Sequence, residues 1–159
     1  MSQALEDVVV VDFTSELYAS LAGALLGDFG ATVIRVEDLS DPRQVDHDRD
    51  GMHPRERWNS LDELAHRNKQ SLAVNLAEPA GREILDKLVA QADVFLTDLP
   101  FRALDERGLD YESLCRIKAD IVMARGSGFG PQGPDRDLPA IDELAAARTG
   151  VMPTLVQPG

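Results

Sequence analysis

"VVVVDFTSELYASLAGALLGDFGATVIRVE" (residues 8–37) decides the fold. Its opening, Val8–Phe13, is a continuous β-branched run, the composition of a strand buried on both faces. A helical pattern follows, with Leu17, Leu21, Leu25 and Phe29 on one stripe and Leu26 beside it. Gly30 falls where a helix C-terminus favours a residue tolerant of positive φ. Thr32–Glu37 is apolar and β-branched again. The stretch therefore predicts a β-α-β unit with a right-handed crossover.

The same alternation continues outward. Residues 38–59 are polar, contain Pro42 and Pro54 and show no sustained period, which predicts a loop. Ser60–Asn68 reads as a short helix, with Ser60 as N-cap and Glu63 at the capping-box position. Ser71–Leu76 is a third strand. Pro79–Ala92 is an amphipathic helix that turns Ile84, Leu85, Leu88 and Val89 inward and pairs Glu83 with Lys87 outside. Asp93–Leu99 and Asp120–Gly126 are strands four and five, separated by short helices at Ala103–Arg107 and Tyr111–Lys118. Pro139 opens a last helix, which Gly150 closes. Strands alternating with helices predict an α/β fold: a Rossmann-like open, mostly parallel sheet with helices on both faces. Ligands of such sheets sit beyond the strand carboxyl ends, here Asp12–Tyr18, Glu37 onward, Asn75–Ala77, Thr97–Arg102 and Gly126–Pro134.

Composition narrows the chemistry. The 159 residues, 43% hydrophobic and 28% charged, suit one globular domain. No apolar run is long enough to span a bilayer, and the first residues lack a basic, cleavable leader pattern, so a cytoplasmic setting is expected. A net charge of −12 disfavours nucleic acid and anionic lipid as partners. Cys115 is the single cysteine, which excludes an intrachain disulfide, and it reads as a small buried hydrophobe. The first strand-helix turn lacks G-x-G-x-x-G, so the dinucleotide fingerprint is missing where it belongs. Asp46, Asp48, Asp50 and Gly51 imitate the start of an EF-hand loop, but Arg57 stands where the bidentate Glu is needed. His47 and His53 lack helical spacing. The segment reads as a solvated loop, and no metal site is expected. Ser15 and Ser127 have no partner His at a recognisable spacing, so a hydrolase triad is not expected.

Several blocks carry a family likeness: "VVVVDFTSELYASLAGALLGDFGATVIRVE", "RNKQSLAVNL", "AGREILDKLVAQADVFLTDL", "ALDERGLDYESL" and "GSGFGPQGPDRDLPAIDELAAARTGVM". In this order they resemble the N-terminal part of the family III CoA-transferases, a group with formyl-CoA transferases, carnitine CoA-transferases and α-methylacyl-CoA racemases. The resemblance spans nearly the whole chain apart from residues 38–59. It implies that residues 1–159 form the Rossmann-like N-terminal part of a large domain, with the rest of the family's chain absent. It also implies interlocked dimers, so a homo-oligomer, or association with a missing segment or subunit, is expected.

The implied activity moves CoA between carboxylic acids through an aspartyl intermediate. Acyl-CoA and a carboxylic acid are then the substrates, and no cofactor is permanently bound. The family's catalytic aspartate lies in a later Gly-Asp motif, so no catalytic residue is expected within this chain, which would be inactive alone. Carried over by resemblance, Asn68, Lys69, Ser127, Gly128, Phe129, Gly130 and Asp142 are the expected CoA-binding residues. Ser127–Gly130 would be a close-approach turn beside the thiol arm. Asp142 has a second reading, as an acid in a helix first turn favoured by the helix dipole. Racemisation would need a His immediately before Asp142, and Ile141 stands there.

Two departures weaken the nucleotide site. Where the family often has arginines directly after strand two and in the short helix that follows strand four, this chain has Asp38 and Glu106, with Arg107 one place away. The alternative is therefore a degenerate, non-catalytic module that assembles with an active subunit. A third reading, an unrelated nucleotide-binding α/β domain, predicts ATP or NAD as ligand instead.

Overall fold

Five strands form one sheet in which every pairing is parallel. The structure, a computed structural model, describes residues 3–41 and 60–151. The strands are β1 (Val9–Phe13), β2 (Thr32–Asp38), β3 (Lys69–Val74), β4 (Val94–Thr97) and β5 (Val122–Arg125), in the order β3-β2-β1-β4-β5. In register, Val10 lies between Val33 and Val94, and Val94 stands opposite Val122. The chain runs outward from β1 through β2 to β3 and then returns to the other side of β1 for β4. That reversal opens a crevice at the carboxyl ends of β1 and β4, the usual ligand position in such sheets.

The helices are α1 (Leu17–Asp28), α2 (Ser60–His66), α3 (Pro79–Val89), α4 (Phe101–Arg107), α5 (Tyr111–Ile117) and α6 (Asp142–Thr149). Alternate strand residues feed two cores. Val11, Phe13 and Phe95 pack with Leu85 and Val89 of α3, Leu104 of α4 and Leu114 of α5. The Phe13 and Phe95 rings stack with centroids 6.2 Å apart. On the opposite face, Val10, Val33 and Leu96 pack with Leu26 of α1. Each fully buried side chain of this size contributes about 1.5–3 kcal/mol relative to exposure. Helices on both faces of an open parallel sheet match the expected fold class. Gly30 (φ 105°) and Gly150 (φ 73°) take the left-handed conformations expected of them.

An apolar helix stripe ordinarily faces the core, and α1 departs from that rule. Its large residues point outward: Leu17, Leu25 and Phe29 are exposed, Phe29 to 59%. Ala19, Ser20, Gly23 and Ala24 face the sheet instead. The reason lies below the helix, where Asp12 of β1 and Lys69 of β3 form an ion pair at 2.5 Å, both side chains essentially buried. A Cβ on Gly23 would collide with the Asp12 carboxylate and come within 3.1 Å of the Lys69 ammonium. Only small residues let α1 settle over this pair.

Smaller departures have similarly local causes. Ile84 is 46% exposed, although Leu85 and Val89 of the same helix are fully buried. Strand β3 begins at Lys69, because its buried ion pair places a polar residue inside the sheet. Helix α6 starts at Asp142, after an extended N-cap at Ile141, while Ala140 lies against Gly128 of the glycine loop. Glu83 and Lys87 pair at 2.7 Å as expected. The EF-hand-like acids and His47 and His53 lie outside the described residues. Among the described residues no helix is long and apolar enough to cross a membrane.

Candidate functional site at the strand carboxyl ends

The crevice between β1 and β4 is organised by Asp98, just after β4. Its Oδ2 accepts the backbone N–H groups of Ser15 (2.9 Å) and Glu16 (2.6 Å), while the Ser15 hydroxyl donates to Oδ1 at 3.3 Å. A carboxylate from a neighbouring strand thus occupies the positive end of α1, whose own N-cap side chain makes no capping bond. Burial pushes the Asp98 carboxyl above the usual carboxylate range, against the pull of these three donors, and the charge of Asp12 adds to the rise.

Beneath the turn lies a buried polar network. Thr14 donates to Asp12 Oδ1 through both its N–H (3.2 Å) and its hydroxyl (2.6 Å), and the Thr14 and Ser20 hydroxyls lie 2.8 Å apart. Lys69 Nζ donates to the Ser20 carbonyl at 2.7 Å besides Asp12. Every charge in this network is engaged, which is the condition for burying one at tolerable cost.

The glycine loop after β5 forms the facing wall. Gly126 N–H donates to Thr97 O at 2.9 Å, continuing the β4–β5 ladder, and Gly130 N–H closes the loop on Ser127 Oγ at 3.1 Å. A Cβ on Gly128 would stand 2.8 Å from the Ala140 Cβ, so only glycine lets the Pro139–Ala140 segment lie so close. Gly130 has φ 78°. This wall, with Ser15, Tyr18, Asp98 and Arg125, encloses a cavity of about 60 Å³. Burial, with the charges of Asp98 and Glu16, raises the Tyr18 hydroxyl, and Arg125 opposes the rise.

Arg125 ends β5 beside this cavity. Its guanidinium lies 3.4 Å over the Phe101 ring, and its Nε donates to the Leu99 carbonyl at 2.7 Å. It also lines a wider groove of about 600 Å³ between β5 and the α4–α5 corner.

A third depression, about 290 Å³, lies at the carboxyl ends of β2 and β3. Asp38, 1% exposed, accepts the Ser40 N–H and hydroxyl and the Leu76 N–H on Oδ1. Arg107 donates Nη1 to Asp38 and Nη2 to Asp41, each at 2.8 Å. Burial drives the Asp38 carboxyl up, but Ser40, Leu76 and Arg107 outweigh it, and its pKa falls below the ordinary value. Arg82 is held as well, by Asp86 and by the carbonyls of Arg107 and Gly108. Glu106, on the same wall, pairs with Arg102 at 2.7 Å.

The expected site residues do not all converge. Ser127 and Gly128 line the small cavity, and Phe129 and Gly130 complete the same loop. Asp142 is exposed at the start of α6, two residues beyond Ala140. Asn68 and Lys69 lie at the opposite, amino end of the sheet, where Asn68 (φ 60°) donates to Asp28 at 2.7 Å and Lys69 turns inward to Asp12. Sequence reasoning passed over Asp98 and Arg125. The available signal was position alone, since each is a charged residue closing an apolar strand at the sheet's carboxyl edge.

An all-parallel sheet with helices on both faces and a reversal of strand order at β1 defines a Rossmann-like α/β domain. More particularly, the chain belongs to CoA-transferase family III, whose sequence profile matches residues 5–159. It is 36% identical over 154 residues to a cinnamoyl-CoA:phenyllactate CoA-transferase of Clostridium sporogenes, covering 96% of this chain and 37% of that protein. It is 36% identical to the succinyl-CoA:glutarate CoA-transferase of Mus musculus, covering 93% of this chain and 34% of that one. The crystal structure of a CAIB/BAIF family protein from Brucella suis superposes with a TM-score of 0.81 at 31% identity, over 96% of this chain and 40% of its own. The chain therefore spans little more than a third of the length of these curated relatives.

Proposed function

We propose that this chain is the CoA-binding, sheet-bearing portion of an enzyme that moves CoA between carboxylic acids. The observation that carries the reading is the family match across residues 5–159, on a sheet whose crevice opens at the β1–β4 reversal. CoA would lie along the strand carboxyl ends, its thiol arm beside Ser127–Gly130. Acyl-CoA and a free carboxylic acid are the partners, and the setting is the cytoplasm. In the covalent route an aspartate carboxylate attacks the thioester carbonyl and CoA leaves as thiolate, giving an acyl anhydride. The thiolate then attacks the aspartyl carbonyl, which releases the first acid and forms an aspartyl-CoA thioester. The second acid repeats these two steps in reverse. None of the aspartates described above suits the nucleophile, because Asp12, Asp38, Asp41 and Asp98 are each engaged by hydrogen-bond donors or an ion pair.

The second reading, a degenerate module that assembles with an active subunit, is favoured by the corner at Asp38. CoA carries about four negative charges, and the arginine there is already held by two aspartates. Calorimetric titration with CoA and acetyl-CoA separates the readings. Dissociation constants below about 1 mM support the transferase, and no binding at that level leaves the module. Either reading includes self-association or a partner over the outward apolar stripe of α1.

A further inference from the structure

The groove beside β5 is not accounted for by CoA along the strand ends. Its walls are apolar: Phe101, Leu104, Tyr111, Met123 and Pro131. About 600 Å³ is within the usual range for a small-molecule pocket. One cation reaches it. The Arg125 guanidinium is fixed by Phe101 below and the Leu99 carbonyl behind, and its Nη groups make no hydrogen bond among the described residues. Burial draws its pKa down, as does the charge of Arg136, whose guanidinium lies 5.5 Å over the same Phe101 ring, while Asp137, Tyr18 and Asp98 oppose that through space. Both of those carboxylates are engaged elsewhere: Asp137 by Arg136 and the Arg102 N–H, Asp98 by the β1–α1 turn.

A half-buried, pre-oriented guanidinium with free terminal donors favours a planar oxyanion that can accept two parallel bonds. Arg125 and Ser127 line both this groove and the small cavity at the glycine loop. An acid held at Arg125 would therefore present its carboxylate where the thiol arm is proposed to end. The groove is also lined by the opposite charge: Asp105 and Glu112, both exposed, and the partly buried Asp110. A second carboxylate at the far end of the ligand would meet these acids.

We propose that Arg125 receives the carboxylate of the CoA acceptor acid, whose apolar tail lies along Phe101, Leu104 and Met123. The preferred substrate is then a monocarboxylic acid with an aromatic or branched side chain, over a dicarboxylic acid of similar length. This rests on the transferase reading for its biological meaning, but the binding it requires is measurable apart from CoA.

The test titrates the chain with 3-phenylpropionate, glutarate and inorganic phosphate, followed by amide chemical shifts, with CoA titrated in parallel. The expectation is that 3-phenylpropionate binds at least about 10-fold tighter than glutarate or phosphate, with shifts at Arg125, Phe101 and Ser127. Arg125→Gln should weaken it by about 10- to 100-fold, the loss of a charge-assisted pair. Because Arg125 also packs on Phe101, a second variant avoids the fold: the exposed pair Asp105→Asn with Glu112→Gln should tighten glutarate binding by a larger factor than that of 3-phenylpropionate. Equal binding of the two acids, binding of phosphate as tight as that of 3-phenylpropionate, or insensitivity of folded Arg125→Gln would overturn the proposal. Loss of CoA binding with acid binding intact would overturn the transferase reading alone.

Discussion

Lys69 illustrates how one side chain can serve the fold where a ligand contact was expected. Its ammonium lies between Asp12 and the Ser20 carbonyl, 57 positions along the chain from Asp12, and so ties β1, β3 and α1 together. Removing one partner of a buried pair leaves a charge without compensation, at a cost of about 3–5 kcal/mol. Lys69→Met should therefore lower stability by that amount in urea unfolding. The double variant Asp12→Asn with Lys69→Met should cost less than the sum of its parts. Additive losses would mean that the two groups do not interact. From sequence, "RNKQ" offered no sign that the lysine turns inward, because its partner lies two strands away across the sheet. Gly128 and Ser127 were legible, since small residues after a strand signal close approach, though what approaches Gly128 is Ala140.

At the scale of elements, strand identities were read from composition and helix orientation was not. Runs such as "VVVV" and "VFLT" leave little choice but a buried strand. The stripe of Leu17, Leu25 and Phe29 suggested an inward face by the usual rule for amphipathic helices. The rule fails in α1 because the helix approaches a buried ion pair, and closeness selects Ala19, Ser20, Gly23 and Ala24 for the inner face. The large residues are left outside, on a helix that lies beside α2, whose Leu61 and Leu64 are exposed as well. The double variant Leu25→Glu with Phe29→Glu should thus change folding stability by no more than about 0.5 kcal/mol per site, as for ordinary surface positions. The same variant should reduce self-association in sedimentation. A loss of several kcal/mol would instead place the stripe in the core.

Across the whole molecule, the parallel sheet and its reversal at β1 gather functional groups from distant parts of the chain. Thr14–Tyr18, Asp98, Arg125 and the glycine loop meet at one edge, although they span more than a hundred residues of sequence. The fold class was legible because alternating strands and helices leave few topologies. The site was legible only as a region, because the pairings of Arg107 with Asp38 and Asp41, and of Asp98 with α1, depend on tertiary placement. A net charge of −12 makes this edge a demanding place for a polyanion, so the CoA binding proposed for it requires local donors. The most direct test is amide hydrogen exchange of the chain with and without saturating CoA. Exchange should slow at Ser15–Tyr18 and at Gly126–Gly130, with the amino edge around Asn68 and Lys69 unchanged. Protection confined to that amino edge, or none at millimolar CoA, would contradict the proposed CoA site.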